Sequence, residues 1–125
     1  MATSVTISSI AKDPNAYKGQ TIMFKAVIAN FVQDSSGNTA GANVDDPNDF
    51  SSVAQIAFTP GFSLNHVNKG DTIEVWGEGL GSFSGTNAFG ATITEGAVQE
   101  VYLHDLTSGY SDNSVSDPAS FVANS

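Results

Sequence analysis

Lys18-Gly19-Gln20-Thr21-Ile22 and Lys69-Gly70-Asp71-Thr72-Ile73 are one phrase written twice, each time ahead of an apolar run. In both, a Lys-Gly-polar turn hands the chain to a Thr-Ile strand start, where β-branched residues are favoured. Two long strands launched by the same chemistry point to an all-β fold. After the first phrase, residues 20 to 33 form the longest run. Ile22, Phe24, Ala26 and Ile28 share one face there, and Met23, Val27, Ala29 and Phe31 share the other. A strand covered on both faces belongs to two sheets or bends across a barrel. After the second phrase, residues 71 to 80 alternate, with Ile73 and Val75 on one face and Thr72, Glu74, Trp76 and Glu78 on the other.

The remaining segments fit the same plan. Residues 5 to 10 alternate like a short strand, and Ser9 to Tyr17 hold one helical turn broken near Pro14. Residues 34 to 50 are polar, with a hairpin turn at Ser36-Gly37-Asn38, a weak strand, and a second loop around Pro47. Residues 52 to 59 read as a strand with Ala54, Ile56 and Phe58 inward, ended by Pro60-Gly61. The connector from Phe62 to Asn68 holds at most one helical turn, and Gly79 to Gly90 is a glycine-rich loop. Residues 91 to 104 are the last strand, with a bulge expected at Glu95-Gly96. The expectation is a five-stranded OB-fold-like Greek-key barrel with extended N- and C-terminal segments. It forms one domain over residues 1 to 106, with 1 to 19 as a lead-in and 107 to 125 as a polar tail.

The motifs also carry a resemblance. Ile10, Asp13-Pro14 and Tyr17-Lys18-Gly19-Gln20 resemble the opening "NP-x-x-Y-x-G-K" of bacterial OB domains of the tRNA-anti-like group. Val67-Asn68-Lys69-Gly70-Asp71-Thr72-Ile73-Glu74-Val75-Trp76-Gly77 is similar to that group's "L-x-x-G-D-x-V-x-V-x-G" fourth strand. With Thr86-Asn87-Ala88-Phe89-Gly90, the resemblance covers roughly residues 10 to 104. It implies an extracytoplasmic binding or spacer domain, often an appendage of a lipoprotein or membrane-anchored protein, and no enzyme. Where the group places a glycine in mid first strand, this chain has Ala26, so the bend is made differently or lies elsewhere.

Composition narrows the function classes. The 125 residues include four Lys, no Arg and thirteen Asp plus Glu, for a formal charge of -9. Such a surface repels phosphate backbones and anionic membranes. With no cysteine, disulfides, thiolate nucleophiles and Cys-ligated zinc are excluded. No stretch approaches a membrane span, and residues 1 to 20 lack a basic region followed by an apolar core. Low charge density, absent Arg and abundant Ser, Thr, Asn, Gly and Ala point to an extracellular or cell-surface setting without direct membrane insertion.

The candidate binding face is aromatic: Trp76, Phe83, Phe89 and Tyr102, with Phe31 as a further member. Its bland counterpart is an outward Trp covered by the Thr6 or Tyr110 segments. Only Lys18, Lys25 and Lys69 could flank this face, against Glu74 and Glu78 beside Trp76, so single-stranded nucleic-acid binding ranks last. Calcium is the one candidate cofactor, with Asp34, Asn38, Asp45, Asp46 and Asp49 as oxygen donors, although their spacing is not that of an EF-hand and turn chemistry explains them equally. Gly81-Ser82-Phe83-Ser84-Gly85 lacks the central serine of a nucleophile elbow, and His66 and His104 have no third partner, so no catalytic residues are assigned. Tyr110, Phe121 and Val122 are the apolar points of the tail and would dock on a neighbouring subunit by strand addition or aromatic insertion. Two readings lead. The first is a non-enzymatic binding module contacting protein, glycan or cation. The second is a structural subunit of a homo-oligomer or filament, assembled through its termini.

Overall fold

Gly19 and Gly70, the glycines of the repeated phrase, both adopt left-handed backbone, with φ of 80° and 91°. Glycine enters that region without a Cβ clash, so both turns depend on it. A computed structural model describes residues 3–33, 36, 39–58, 66–86 and 92–110, with the side chains of residues 83, 85, 86 and 92–94 set aside. In chain order the elements are β1 (Thr3–Ser4), α1 (Ile7–Lys12), a 3-10 turn (Pro14–Tyr17), β2 (Thr21–Gln33), β3 (Thr39–Asp46), β4 (Asp49–Ala57), β5 (Thr72–Thr86) and β6 (Thr92–Asp105). Each phrase glycine ties its turn to the facing strand or its continuation. Gly19 N–H donates to the Gly79 carbonyl and Gly70 N–H to the Ile28 carbonyl, both at 2.8 Å.

The two launched strands, β2 and β5, pair antiparallel, with Ile22 opposite Gly77 and Ala26 opposite Ile73. β2 also pairs with β3, β3 with β4, and β5 with β6, all antiparallel, while β4 runs parallel to β6. The order β2-β3-β4-β6-β5 therefore returns to β2 and closes a five-stranded OB-like barrel, with β1 added parallel to β2 outside it. β2 reaches both neighbours by bending. Ile28 faces Val44 and Asn30 faces Asn43, which leaves Ala29 unmatched. Such a bulge bends and twists its strand, so the curvature lies at Ala29 and Ala26 stays in regular pairing.

Inward residues follow the expected alternation: Ile22, Phe24, Ala26 and Ile28 from β2, Ile73 and Val75 from β5, and Ala54, Ile56 and Phe58 from β4 and its end. Beyond the bulge Phe31 turns toward the core, with its ring 6.5 Å from that of Phe58.

Three local expectations are corrected. Residues 5 to 10 are not a strand; the chain is extended only at Thr3–Ser4 and helical from Ile7. Ile7 and Ile10 are three apart, a spacing that suits one helix face, and Thr6 caps the helix by accepting from Ser9 N–H at 3.1 Å. Both isoleucines are buried, and α1 touches β2, β3, β4 and β6, so it covers one end of the barrel core. Second, pairing runs unbroken through Phe83–Glu95 and Ser82–Gly96; the extra residues are Val101 and Leu80. Gly96 is required for a different reason, because a Cβ there would collide with Ile10 Cγ2. Third, Gly79 to Thr86 belongs to β5 and not to a loop, since β6 satisfies its backbone and cross-strand pairing overrides the weak strand preference of glycine.

Ile10 seals the barrel end against Gly96, so Ile10→Ala is expected to lower stability by about 2–5 kcal/mol, read from urea unfolding. Lys12→Ala, at the exposed end of α1, is expected to change it by less than about 0.5 kcal/mol.

Candidate functional site

Residues of β2 alternate between the two barrel faces, so Met23 and Lys25 stand outside. Met23 lies across from Trp76 of β5, which faces Tyr102 of β6; Lys25 lies across from Glu74, which faces His104. Two rows result, Met23-Trp76-Tyr102 and Lys25-Glu74-His104. The Trp76 and Tyr102 ring centroids are 5.2 Å apart with planes tilted by 54°, within the range of favourable aromatic pairs. In the second row His104 Nδ1 lies 3.9 Å from Glu74 Oε1. The extra residue Val101 sets the phase that turns Tyr102 outward beside Trp76. Both aromatics are half-buried and leave ring surface open to solvent.

Of the other aromatics expected here, Phe31 is on the core side, while the side chain of Phe83 and all of Phe89 lie outside the described residues. The segments considered as a cover for Trp76 are engaged elsewhere. Thr6 caps α1, and the Tyr110 ring packs against His66 with centroids 5.1 Å apart.

The acidic-loop residues serve the fold. Asp46 is buried, and its Oδ2 accepts from Ser8 N–H at 3.1 Å and from Ser8 Oγ at 2.8 Å, while Oδ1 accepts from Asn48 N–H at 2.9 Å. Ser8 lies in the first turn of α1, so a carboxylate there satisfies an orphan amide and complements the positive helix end. Asp49 accepts from Ser51 N–H at 3.1 Å and from Ser52 Oγ at 2.9 Å. Asp45 lies between Val27 and Val53 on the neighbouring strands. Asp34 and Asn38 lie outside the described residues, and among the described residues no three His, Asp or Glu are grouped to hold a metal.

The chain remains fastened beyond β6. Thr72 N–H donates to Thr107 Oγ1 at 3.0 Å, Ser108 Oγ to the His66 carbonyl at 2.7 Å, and Asp105 N–H to the Tyr110 carbonyl at 2.7 Å. Tyr110 thus packs on its own barrel, and Phe121 and Val122 lie outside the described residues. His66 and His104 sit in separate settings, one under Tyr110 and one beside Glu74. Among the described residues no helix is long and apolar enough to cross a membrane.

Sequence reading missed the buried acids Asp71, Glu100 and Asp105. The signal was available: alternation from the inward Val98 places Glu100 inward, and alternation from the inward Leu103 does the same for Asp105. Asp105 Oδ1 accepts from Thr107 N–H and Ser108 N–H, both at 2.9 Å, while its buried Oδ2 has no donor. Its neighbour is the Asp71 carboxyl, which accepts from Asn68 N–H at 3.0 Å. Two carboxyls hydrogen-bond to each other only when one is protonated. Burial first, and Asp71 second, push the Asp105 carboxyl above its ordinary range. For Asp46, burial acts upward, but the bonds from Asn48 and Ser8 outweigh it and hold the carboxyl below its ordinary range.

No protein-family model matches the chain, and no curated protein matches it significantly.

The two shifts act on stability with opposite sign. A raised Asp105 binds its proton more tightly when folded, so stability rises as pH falls from neutral toward the ordinary carboxyl range. Burial raises Glu95 as well and adds to the same window. The lowered Asp46 contributes above the ordinary range and loses that contribution as pH falls through its depressed value. Melting temperature is therefore expected to rise as pH falls from neutral toward the ordinary carboxyl range at about pH 4, and to fall again at more acid pH. Asp105→Asn is expected to reduce the rise, and Asp46→Asn to lower stability at neutral pH and flatten the acid fall.

Proposed function

We propose that this chain is a non-enzymatic binding module, similar to the extracytoplasmic OB domains of the tRNA-anti-like group, and that it recognises a protein partner at the outer face of β2, β5 and β6. The observation that carries the reading is the Trp76-Tyr102 pair, half-buried at the centre of that face with Met23 across from Trp76. Trp and Tyr supply large contact areas and are enriched where binding energy concentrates, and Met adapts to irregular partner surfaces. The second row adds a mixed-charge flank, with Lys25, Glu74 and His104 side by side. A net charge of -9 favours a basic or neutral partner over a phosphate backbone. Low charge density, absent Arg and abundant Ser, Thr, Asn, Gly and Ala support a cell-surface or secreted setting.

Trp76 is the sole tryptophan, so its emission reports this face alone. A photo-crosslinking residue at the exposed position Glu78, beside Trp76 on the strand, is expected to capture the partner on intact cells. Against that partner, Trp76→Ala is expected to weaken binding by about 30-fold, equivalent to about 2 kcal/mol, and partner binding is expected to shield Trp76 from acrylamide. Lys69→Ala, in the turn before β5, is expected to leave affinity within about twofold. Unchanged affinity in Trp76→Ala would refute the reading.

A further inference from the structure

One side of β2 has no neighbour between Met23 and Val27. There β1 pairs as far as Ser4 opposite Met23, with Val5 N–H donating to the Met23 carbonyl at 2.9 Å, and β3 ends its pairing at Asp45 opposite Val27. The backbone groups of successive strand residues point to alternate sides. Ile28 N–H donates to the Asp71 carbonyl on the β5 side, and Met23 accepts on the β1 side, so the N–H and carbonyl of Lys25 also point to the β1 side. Continued register would set Pro47 opposite Lys25, where the chain turns and where proline has no N–H to donate.

The gap is a cavity of about 400 Å³, with the apolar Val5, Met23 and Pro47 on one part of its wall and polar residues, Lys25 and Asp46 among them, on the rest. It holds charges of both signs, but the ionised Asp46 turns its oxygens to protein donors, which leaves Lys25 as the charged group open to a ligand. Both Asp46 oxygens are occupied by Ser8 and Asn48. Among the described residues the Lys25 ammonium makes no ion pair within 4 Å. A partly apolar hollow, the open backbone N–H and carbonyl of Lys25 and an uncommitted ammonium on the same residue suit a ligand that carries an anionic acceptor and an apolar body.

We propose that this cavity binds a small carboxylate carrying an apolar body. The carboxylate accepts from Lys25 N–H and pairs with the Lys25 ammonium, and the body packs against Val5, Met23 and Pro47. The volume lies within the roughly 300–1,000 Å³ of small-molecule sites. A cationic ligand would meet Lys25, and a wholly apolar one would bury Lys25 N–H without an acceptor, which is costly. The site stands whether or not the aromatic face binds a protein partner.

The probe is 3-phenylpropionate, titrated into the full chain while amide proton–nitrogen spectra are recorded. Saturable millimolar shifts are expected at Val5, Met23 and Lys25. Lys25 is exposed, so Lys25→Met is expected to keep the melting temperature and lose about tenfold or more in affinity, while Lys25→Arg retains binding. The uncharged 3-phenylpropanamide is expected to bind at least about tenfold more weakly. Shifts that do not saturate or that centre elsewhere, equal binding of the amide, or full affinity in Lys25→Met would each overturn the inference.

Discussion

β2 must satisfy three neighbours at once, and the rest of the structure depends on how it does so. Its first half pairs with β5 on one side and briefly with β1 on the other; its second half pairs with β3. A straight strand cannot serve β5 and β3 around a closed surface. The extra residue at Ala29 supplies the bend, and with it the barrel closes and the row from Ile22 to Ile28 points inward. The same division of labour creates the open stretch at Lys25, because β1 ends before β3 begins. The cavity is thus a by-product of barrel closure.

α1 completes what the strands leave open. Its Ile7 and Ile10 join the barrel core, and Asp46 at the end of β3 holds its first turn. A buried carboxylate would ordinarily be costly; here three donors from Ser8 and Asn48 meet it. Asp105 lacks that balance at the far end of β6, with one oxygen bonded twice and the other facing a second acid.

The barrel was legible in the residues because its strands obey simple rules. The repeated Lys-Gly-polar-Thr-Ile phrase marks two left-handed glycine turns that launch β2 and β5. Alternation placed Ile73 and Val75 inward and Trp76 outward, as observed. What escaped was set by tertiary contact. Val5 to Ile10 fits strand and helix alike, and the choice is made by Thr6 capping and the distant Asp46. The glycines from 79 to 85 read as a loop, yet β6 pairs them, and a Cβ at Gly79 would collide with the Tyr17 carbonyl. The aromatic site was half visible: Trp76 could be placed from its own strand, while Tyr102 joined it through the phase shift at Val101. The cavity could not be read at all, because it is an absence of pairing between elements distant in sequence.

Residue-resolved amide hydrogen exchange tests the central role of β2 most directly. If β2 closes the barrel and lies open only between β1 and β3, the amides of Phe24, Ala26 and Ile28, which point toward β5, will exchange at the rate of global unfolding, and Val27 with them. Lys25 N–H, between them, will exchange faster by about two orders of magnitude or more. Protection of Lys25 equal to that of its neighbours, or fast exchange across all of Phe24 to Ile28, would contradict the account.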